Sequence, residues 1–143
     1  MKRILTVLIS LTILLTAIMS LSACSGGVSR DEAKEITDAY FSAMAAGNYE
    51  EAAALFHPAT SMTAELMEST AETLRTEMDA DFAEGVTIER YVGMKSAYYD
   101  SNVGGSLYEL TMKVRVGDKS LSIISEVVRT DEGYGLWNIR YQE

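Results

Sequence analysis

The chain has one cysteine, one proline, one histidine and one tryptophan among its 143 residues. A single cysteine, Cys24, excludes a disulfide within the chain. A single histidine, His57, excludes a histidine-rich metal site, and no set of thiolates can take its place. With only Pro58, few helices or strands have an enforced stop. Positive charge is scarce: 12 Lys and Arg stand against 21 Asp and Glu. An acidic surface repels phosphate backbones, so nucleic acid is not expected as a partner. There is no internal repeat and no low-complexity block.

The long hydrophobic run is at the start. Met1-Lys2-Arg3 precedes Ile4 to Leu21, which carry no charge, and Leu21-Ser22-Ala23-Cys24 closes the run. Basic residues, an apolar stretch and small residues before a break make a secretory signal. The closing tetrad resembles the lipobox of bacterial lipoproteins at every position. That resemblance implies a lipoprotein signal peptide at residues 1–23 and diacylglycerol with palmitate-type chains on the Cys24 sulfur. An uncleaved membrane anchor is the alternative, because 18 uncharged residues nearly span a bilayer. Serines and threonines within the run, and a cysteine in that place, favour the lipoprotein. The protein is then anchored to the membrane without spanning it, its domain outside the cytoplasm. Ser25 is not the aspartate linked to inner-membrane retention in some bacteria, which favours the outer membrane where there are two. Residues 24–28 form the lipidated cysteine and a short leash containing Ser25-Gly26-Gly27. Without residues 1–23, 10 basic residues oppose 21 acidic ones, a net charge of −11.

Residues 29–143 form one domain, and roughly 110 residues suffice for a single core. Ser29 and Glu32 fit a capping box that starts a first helix. Ala33, Ile36, Tyr40, Phe41 and Met44 follow at helical spacing, and Gly47 closes it. Asn48 and Glu51 suggest a second capping box before a short helix with Ala52, Leu55 and Phe56, stopped by Pro58. Ser61 is the expected cap of a third helix, with Met67, Ala71, Leu74, Met78 and Phe82 on one stripe and Gly85 at its end.

The remainder reads as strands. Residues 86–99 carry apolar residues in two phases, which predicts a bulge or burial on both faces. Residues 106–116 alternate cleanly, with Tyr108, Leu110, Met112, Val114 and Val116 on one face. Gly117-Asp118 is a two-residue hairpin signal. It pairs Val116 with Lys119, Val114 with Leu121, Met112 with Ile123 and Tyr108 with Val127. On the opposite face it sets Glu109 beside Glu126. A loop from Thr130 to Tyr134 would pair Arg129 with Gly135, placing Val127 by Trp137, Ser125 by Ile139 and Ile123 by Tyr141.

Three helices followed by four antiparallel strands give an α+β fold, with N-terminal helices packed on a curved sheet. The segment Glu35-Ile36-Thr37-Asp38-Ala39-Tyr40-Phe41-Ser42-Ala43-Met44, then Ala46-Gly47-Asn48-Tyr49-Glu50-Glu51-Ala52, resembles the entry of nuclear transport factor 2-like domains. Leu136-Trp137-Asn138-Ile139 is similar to their closing strand. This resemblance implies a cone-like domain of the kind found in small lipoproteins of unknown function. Its members include isomerases, dehydratases and non-catalytic binding domains, and none of its catalytic roles transfers to a residue here.

Four groups carry candidate chemistry. His57 has a suitable intrinsic pKa for a general base, but a favourable cation or donor at a helix C-terminus is the preferred reading. Tyr40, Tyr108, Trp137 and Tyr141 can line a cone pocket or simply fill a core. Asp79, Asp81 and Glu84 crowd a helix end without matching a calcium loop. Glu109 and Glu126 make a polar spot, with Lys113 and Arg140 close enough to offset their repulsion. Leu107, Ile124, Val128 and Leu136 on that face suggest a partner surface or a homodimer contact.

The sequence therefore predicts a lipid-anchored, non-catalytic binding or accessory domain of the cell envelope, acting on a small ligand or an envelope protein. The competing reading is a small enzyme of isomerase, dehydratase or hydrolase type, working by acid–base chemistry in a cone pocket. No nucleophile, metal or cofactor motif is present, and no cofactor is expected.

Overall fold

The computed structural model describes residues 27–142 and, for residues 96–98, the backbone alone. The signal segment 1–23 and Cys24 lie outside the described residues. The elements run α1 (Arg30–Ala45), α2 (Tyr49–Ala54), a 3₁₀ turn (Pro58–Thr60), α3 (Ala64–Glu77), a second 3₁₀ turn (Phe82–Glu84), then β1 (Val86–Asp100), β2 (Gly105–Val116), β3 (Lys119–Thr130) and β4 (Gly133–Gln142). The four strands form one antiparallel sheet in the order β1-β2-β3-β4. This is the expected α+β fold, with helices on one face of a curved sheet.

Helix α1 is built as its sequence indicates. The Ser29 hydroxyl accepts the Glu32 N–H, and the Glu32 carboxylate accepts the Ser29 N–H at 2.8 Å. Two otherwise orphaned donors are thereby satisfied. Ile36, Tyr40, Phe41 and Met44 are buried along one face, and α1 crosses all four strands. Gly47 then takes φ +67, a left-handed conformation that suits glycine.

The other two helices differ from the sequence reading in their caps. Asn48 makes no capping bond to the backbone; its amide instead donates to Glu51 Oε2 at 2.6 Å. Thr63, not Ser61, caps α3 by accepting from Leu66 N–H. Helix α3 stops at Glu77, four residues before Asp81 caps a separate 3₁₀ turn. Phe82 on that turn still reaches the core, because the turn folds back under α1. Helix α3 packs mainly on α2 rather than on the sheet, and contributes buried Met67 and Leu74.

The β2–β3 register is as the loop length dictates. Gly117 takes φ +56 at the first central position of the turn, and Val116 pairs with Lys119, Val114 with Leu121 and Met112 with Ile123. The inner face of these strands is a continuous apolar wall, with Leu110, Met112, Val114, Ile123 and Val127 buried. A buried polar contact in it is closed: Thr37 Oγ1 donates to Ala33 O at 2.7 Å and lies 2.9 Å from Ser125 Oγ, so the Ser125 hydroxyl is the donor between them.

The β3–β4 register departs from expectation near its turn. The turn has two residues, Asp131 and Glu132, so Thr130 pairs with Gly133 and Val127 with Leu136. A shift between Glu126 and Val127 then restores the expected pairs, Ser125 with Ile139 and Ile123 with Tyr141. Trp137 is the extra residue of that bulge. Leu136, expected on the outer face, is fully buried in the core, whereas Trp137 is half-buried and outside it. Strand β1 carries three further register shifts, which account for its two-phase sequence.

Candidate functional site

His57 lies on the connection between α2 and α3. Its N–H donates to Leu136 O at 2.8 Å, and Leu136 N–H donates to Leu55 O at 2.9 Å, so the Leu55–His57 segment adds a short parallel rung to the β4 edge. The imidazole is 1% exposed. Ala59 N–H donates to Nδ1 at 3.2 Å, which leaves the ring proton on Nε2, 2.9 Å from Thr130 Oγ1. Both nitrogens are thus committed to the backbone turn and to β3. The residue caps the N-terminus of a 3₁₀ turn; it is not a donor at the end of α2, and Pro58 opens that turn. Its ring meets Trp137 edge to face, with centroids 5.8 Å apart.

The four aromatic candidates do not converge. Tyr40 and Tyr141 share a hydrogen bond of 2.6 Å between their hydroxyls. Phe41 and Phe56 meet Tyr40, and Phe82 meets Tyr141. Burial pushes the Tyr40 phenol up to about 12, against a smaller downward pull from its Tyr141 hydrogen bond. Burial also holds Tyr141 well above the ordinary phenol range, and the neighbouring Tyr40 adds to it. Both hydroxyls therefore keep their protons at neutral pH and neither is a ready base. Tyr108 is in the same core, while Trp137 sits apart beside His57.

Glu109 and Glu126 are cross-strand neighbours, as the hairpin requires. They are the centre of a polar row: Lys95 stands opposite Glu109, and Asn138 opposite Glu126. Arg140 Nη2 lies 3.5 Å from Glu109 Oε2 and 3.3 Å from Glu126 Oε1, bridging the two carboxylates. Asn138 Nδ2 donates to Glu126 Oε2 at 3.1 Å. The pair is held by a shared cation and an amide, so its like charges do not simply oppose. Glu126→Gln should accordingly change stability by only tenths of a kcal/mol, since the relieved repulsion and the weakened Arg140 bridge offset each other. A loss above about 1 kcal/mol in urea titration would contradict this balance.

The apolar neighbours expected on that face are covered. Leu107 and Val128, paired with each other, are 2% and 0% exposed, and Leu136 faces the other way. Only Ile124 of the four is a half-buried outer-face residue. Asp79, Asp81 and Glu84 also separate: Asp79 pairs with Lys119 at 3.1 Å, and Asp81 caps Ala83 N–H at 2.9 Å. Among the described residues, no three His, Cys, Asp or Glu groups converge as metal ligands.

Sequence reasoning missed two features. A cleft of about 700 Å³ opens beside α3, with Met44, Tyr49, Phe82, Glu68, Glu72 and Arg75 in its lining. The Glu72–Arg75 pair there is exposed. The second feature ties the start of the domain to the β3–β4 hairpin. Arg129 Nη2 lies 2.7 Å from Glu32 Oε1, its Nη1 reaches Gly27 O at 3.5 Å, and its guanidinium covers the Tyr134 ring. Tyr134 donates to Glu32 O at 2.9 Å. An arginine two residues before a hairpin turn gives no sequence signal that it will meet a residue 97 positions earlier.

Glu32 is the most perturbed carboxylate of this lock. Burial alone would raise it, but hydrogen bonds from Arg129 and Ser29 outweigh that and hold it at about 2. A carboxyl lowered in the folded state stabilises the fold above its unfolded value, and the contribution fades as pH falls. The window runs from about 4.5 down to about 2. Glu32→Gln should therefore flatten the acid limb of a stability–pH profile in that window. At pH 7 it should cost about 1 kcal/mol, a figure reduced for the partial exposure of the pair. An unchanged acid limb would show that the lock is not an energetic contact.

No family model, curated protein or solved structure matches the chain.

Proposed function

We propose that the chain is a lipid-anchored lipoprotein of the bacterial cell envelope, whose domain binds a small ligand or an envelope protein without catalysing a reaction. The observation that carries the anchored reading is the complete tetrad Leu21-Ser22-Ala23-Cys24 placed directly ahead of a folded start. Val28 is buried, Gly27 is held by Arg129 and Ser29 caps α1, so in the sequence only Ser25 and Gly26 separate Cys24 from the described fold. Among the described residues no helix is long and apolar enough to cross a membrane.

The non-catalytic reading rests on where the reactive groups sit. His57 has both nitrogens engaged, and the Tyr40–Tyr141 pair holds its protons inside the core. The bridged Glu109–Glu126–Arg140 group and its Asn138 neighbour are the arranged charges of the outer sheet face, and they suit a polar ligand or partner. With Leu107 and Val128 covered, a homodimer through this face would be polar. Kinship with nuclear transport factor 2-like domains is part of this proposal, supported by one long helix laid across a curved antiparallel sheet.

Intact-mass analysis of membrane-extracted protein tests the anchor. The expected result is a chain that begins at Cys24 and carries diacylglycerol on its sulfur. Cys24→Ala should leave the precursor uncleaved or release the domain from membranes. An unmodified Cys24 behind a retained signal would overturn the proposal.

A further inference from the structure

Strand β1 is an edge of the sheet, and it carries three of the large apolar side chains left in water: Val92 at 50% exposure, Met94 at 44% and Tyr99 at 70%. Met94 and Tyr99 pair with Leu110 and Ser106, which places both on the inner, helix-bearing face. Tyr99 belongs to a row that crosses the whole sheet: it pairs with Ser106, Ser106 with Arg129, and Arg129 with Tyr134. This is the row that receives the start of the domain, through Arg129 to Gly27 O and Glu32. Two strand spacings separate Tyr99 from Arg129, or about 10 Å. Three residue steps separate Gly27 from Cys24, which span at most about 10 Å.

We infer that the Tyr99 end of β1 rests on the bilayer that holds the lipid anchor, giving the domain a second, apolar contact with the membrane. The inference rests on the anchored reading above. A tether this short keeps the Arg129 part of the row within about 20 Å of the acylated sulfur and Tyr99 within about 30 Å, while the Gly117-Asp118 turn lies at the far end of β2. Tyrosine suits the headgroup layer, since its ring is apolar and its hydroxyl can stay wet. Charge does not drive the contact. Asp100 follows Tyr99, and Asp131 and Glu132 form the β3–β4 turn at the same end of the sheet, which leaves this end mildly acidic. The contact should therefore form on zwitterionic lipid. Docking there fixes which way the domain faces, with the hairpin tip at Asp118 pointing away from the bilayer.

The test uses the full lipidated chain on phosphatidylcholine vesicles and a membrane-impermeant maleimide. The Cys24 sulfur is blocked by its acyl group, so Ser101→Cys and Asp118→Cys are labelled one at a time. Ser101→Cys, in the turn after Tyr99, should react at least about tenfold more slowly than Asp118→Cys, because burying the Tyr99 ring in lipid, beside the acyl anchor, suffices for a docked fraction near nine-tenths. Adding Tyr99→Ser and Met94→Ser should restore fast labelling. Equal rates on protein whose mass shows diacylglycerol would overturn the docking and leave the anchor standing; a mass without the lipid would overturn the anchor itself. Slow labelling that survives Tyr99→Ser and Met94→Ser would assign the protection to the tether alone. Slow labelling of the Cys24→Ala chain without vesicles would assign it to a second copy or to the fold. Either result refutes the proposed contact.

Discussion

Leu136→Ala is expected to cost about 2–5 kcal/mol, the range for removing a buried leucine from a core that cannot collapse around the gap. Trp137→Ala, though it removes a far larger side chain, should cost only about 1–2 kcal/mol, because part of the ring already lies in water. The reason for the inverted order is the bulge. Leu136 is fully buried and pairs with Val127, whereas Trp137 is displaced from the ladder and rests edge to face on His57. Without the bulge the ranking would reverse: Trp137 would face Val127 in the core, and Leu136 would be on the outer surface. Urea titration of both variants of the mature domain decides the matter. A larger loss for Trp137→Ala than for Leu136→Ala would mean that β4 is paired one residue away from the register described.

Gly135→Ala is expected to cost about 3 kcal/mol, at the upper end of what one added methyl does in a tight site. A Cβ there would stand 2.5 Å from His57 N, 2.7 Å from the Phe56 carbonyl carbon and 2.9 Å from His57 Cα. All three are backbone atoms, so no flexible side chain can yield. The Leu55–His57 rung must lift off β4, which threatens its two hydrogen bonds of 2.8 and 2.9 Å. Amide exchange at His57 and Leu136 should then quicken together with the drop in urea midpoint. Gly47→Ala serves as the comparison. Nothing lies within 4 Å of a Cβ at Gly47, so only its left-handed backbone resists, at about 1 kcal/mol. Similar losses for the two variants would show that close approach of the Leu55–His57 segment is not what glycine serves at position 135.

The consequences of these two sites reach the candidate chemistry. The rung that Gly135 permits seats His57 against β4, where its ring nitrogens meet Ala59 N–H and Thr130 Oγ1. The bulge that exposes Trp137 removes it from the aromatic group formed by Tyr40 and Tyr141. One irregular strand therefore ties His57 into the fold and sets Trp137 apart from the other candidate pocket-lining aromatics.

Local sequence by itself determined those parts in which neighbours along the chain decide the geometry. The Ser29–Glu32 capping box, the buried stripe of α1, and the β2–β3 register with its Glu109–Glu126 pairing all follow from residues a few positions apart or from a two-residue loop. The α+β order follows from a change of apolar period along the chain. Only the tertiary structure decided the rest, because distant segments compete for the same groups. Thr63 rather than Ser61 caps α3 because the chain first spends Pro58–Thr60 on a 3₁₀ turn seated against β4. A two-residue β3–β4 turn and the inner wall's demand for Leu136 force the extra residue out as Trp137. Arg129 meets Glu32 because the fold brings together charges that no spacing in the sequence connects, whereas Arg140 beside Glu109 and Glu126 follows from the strand pairing that the sequence indicates.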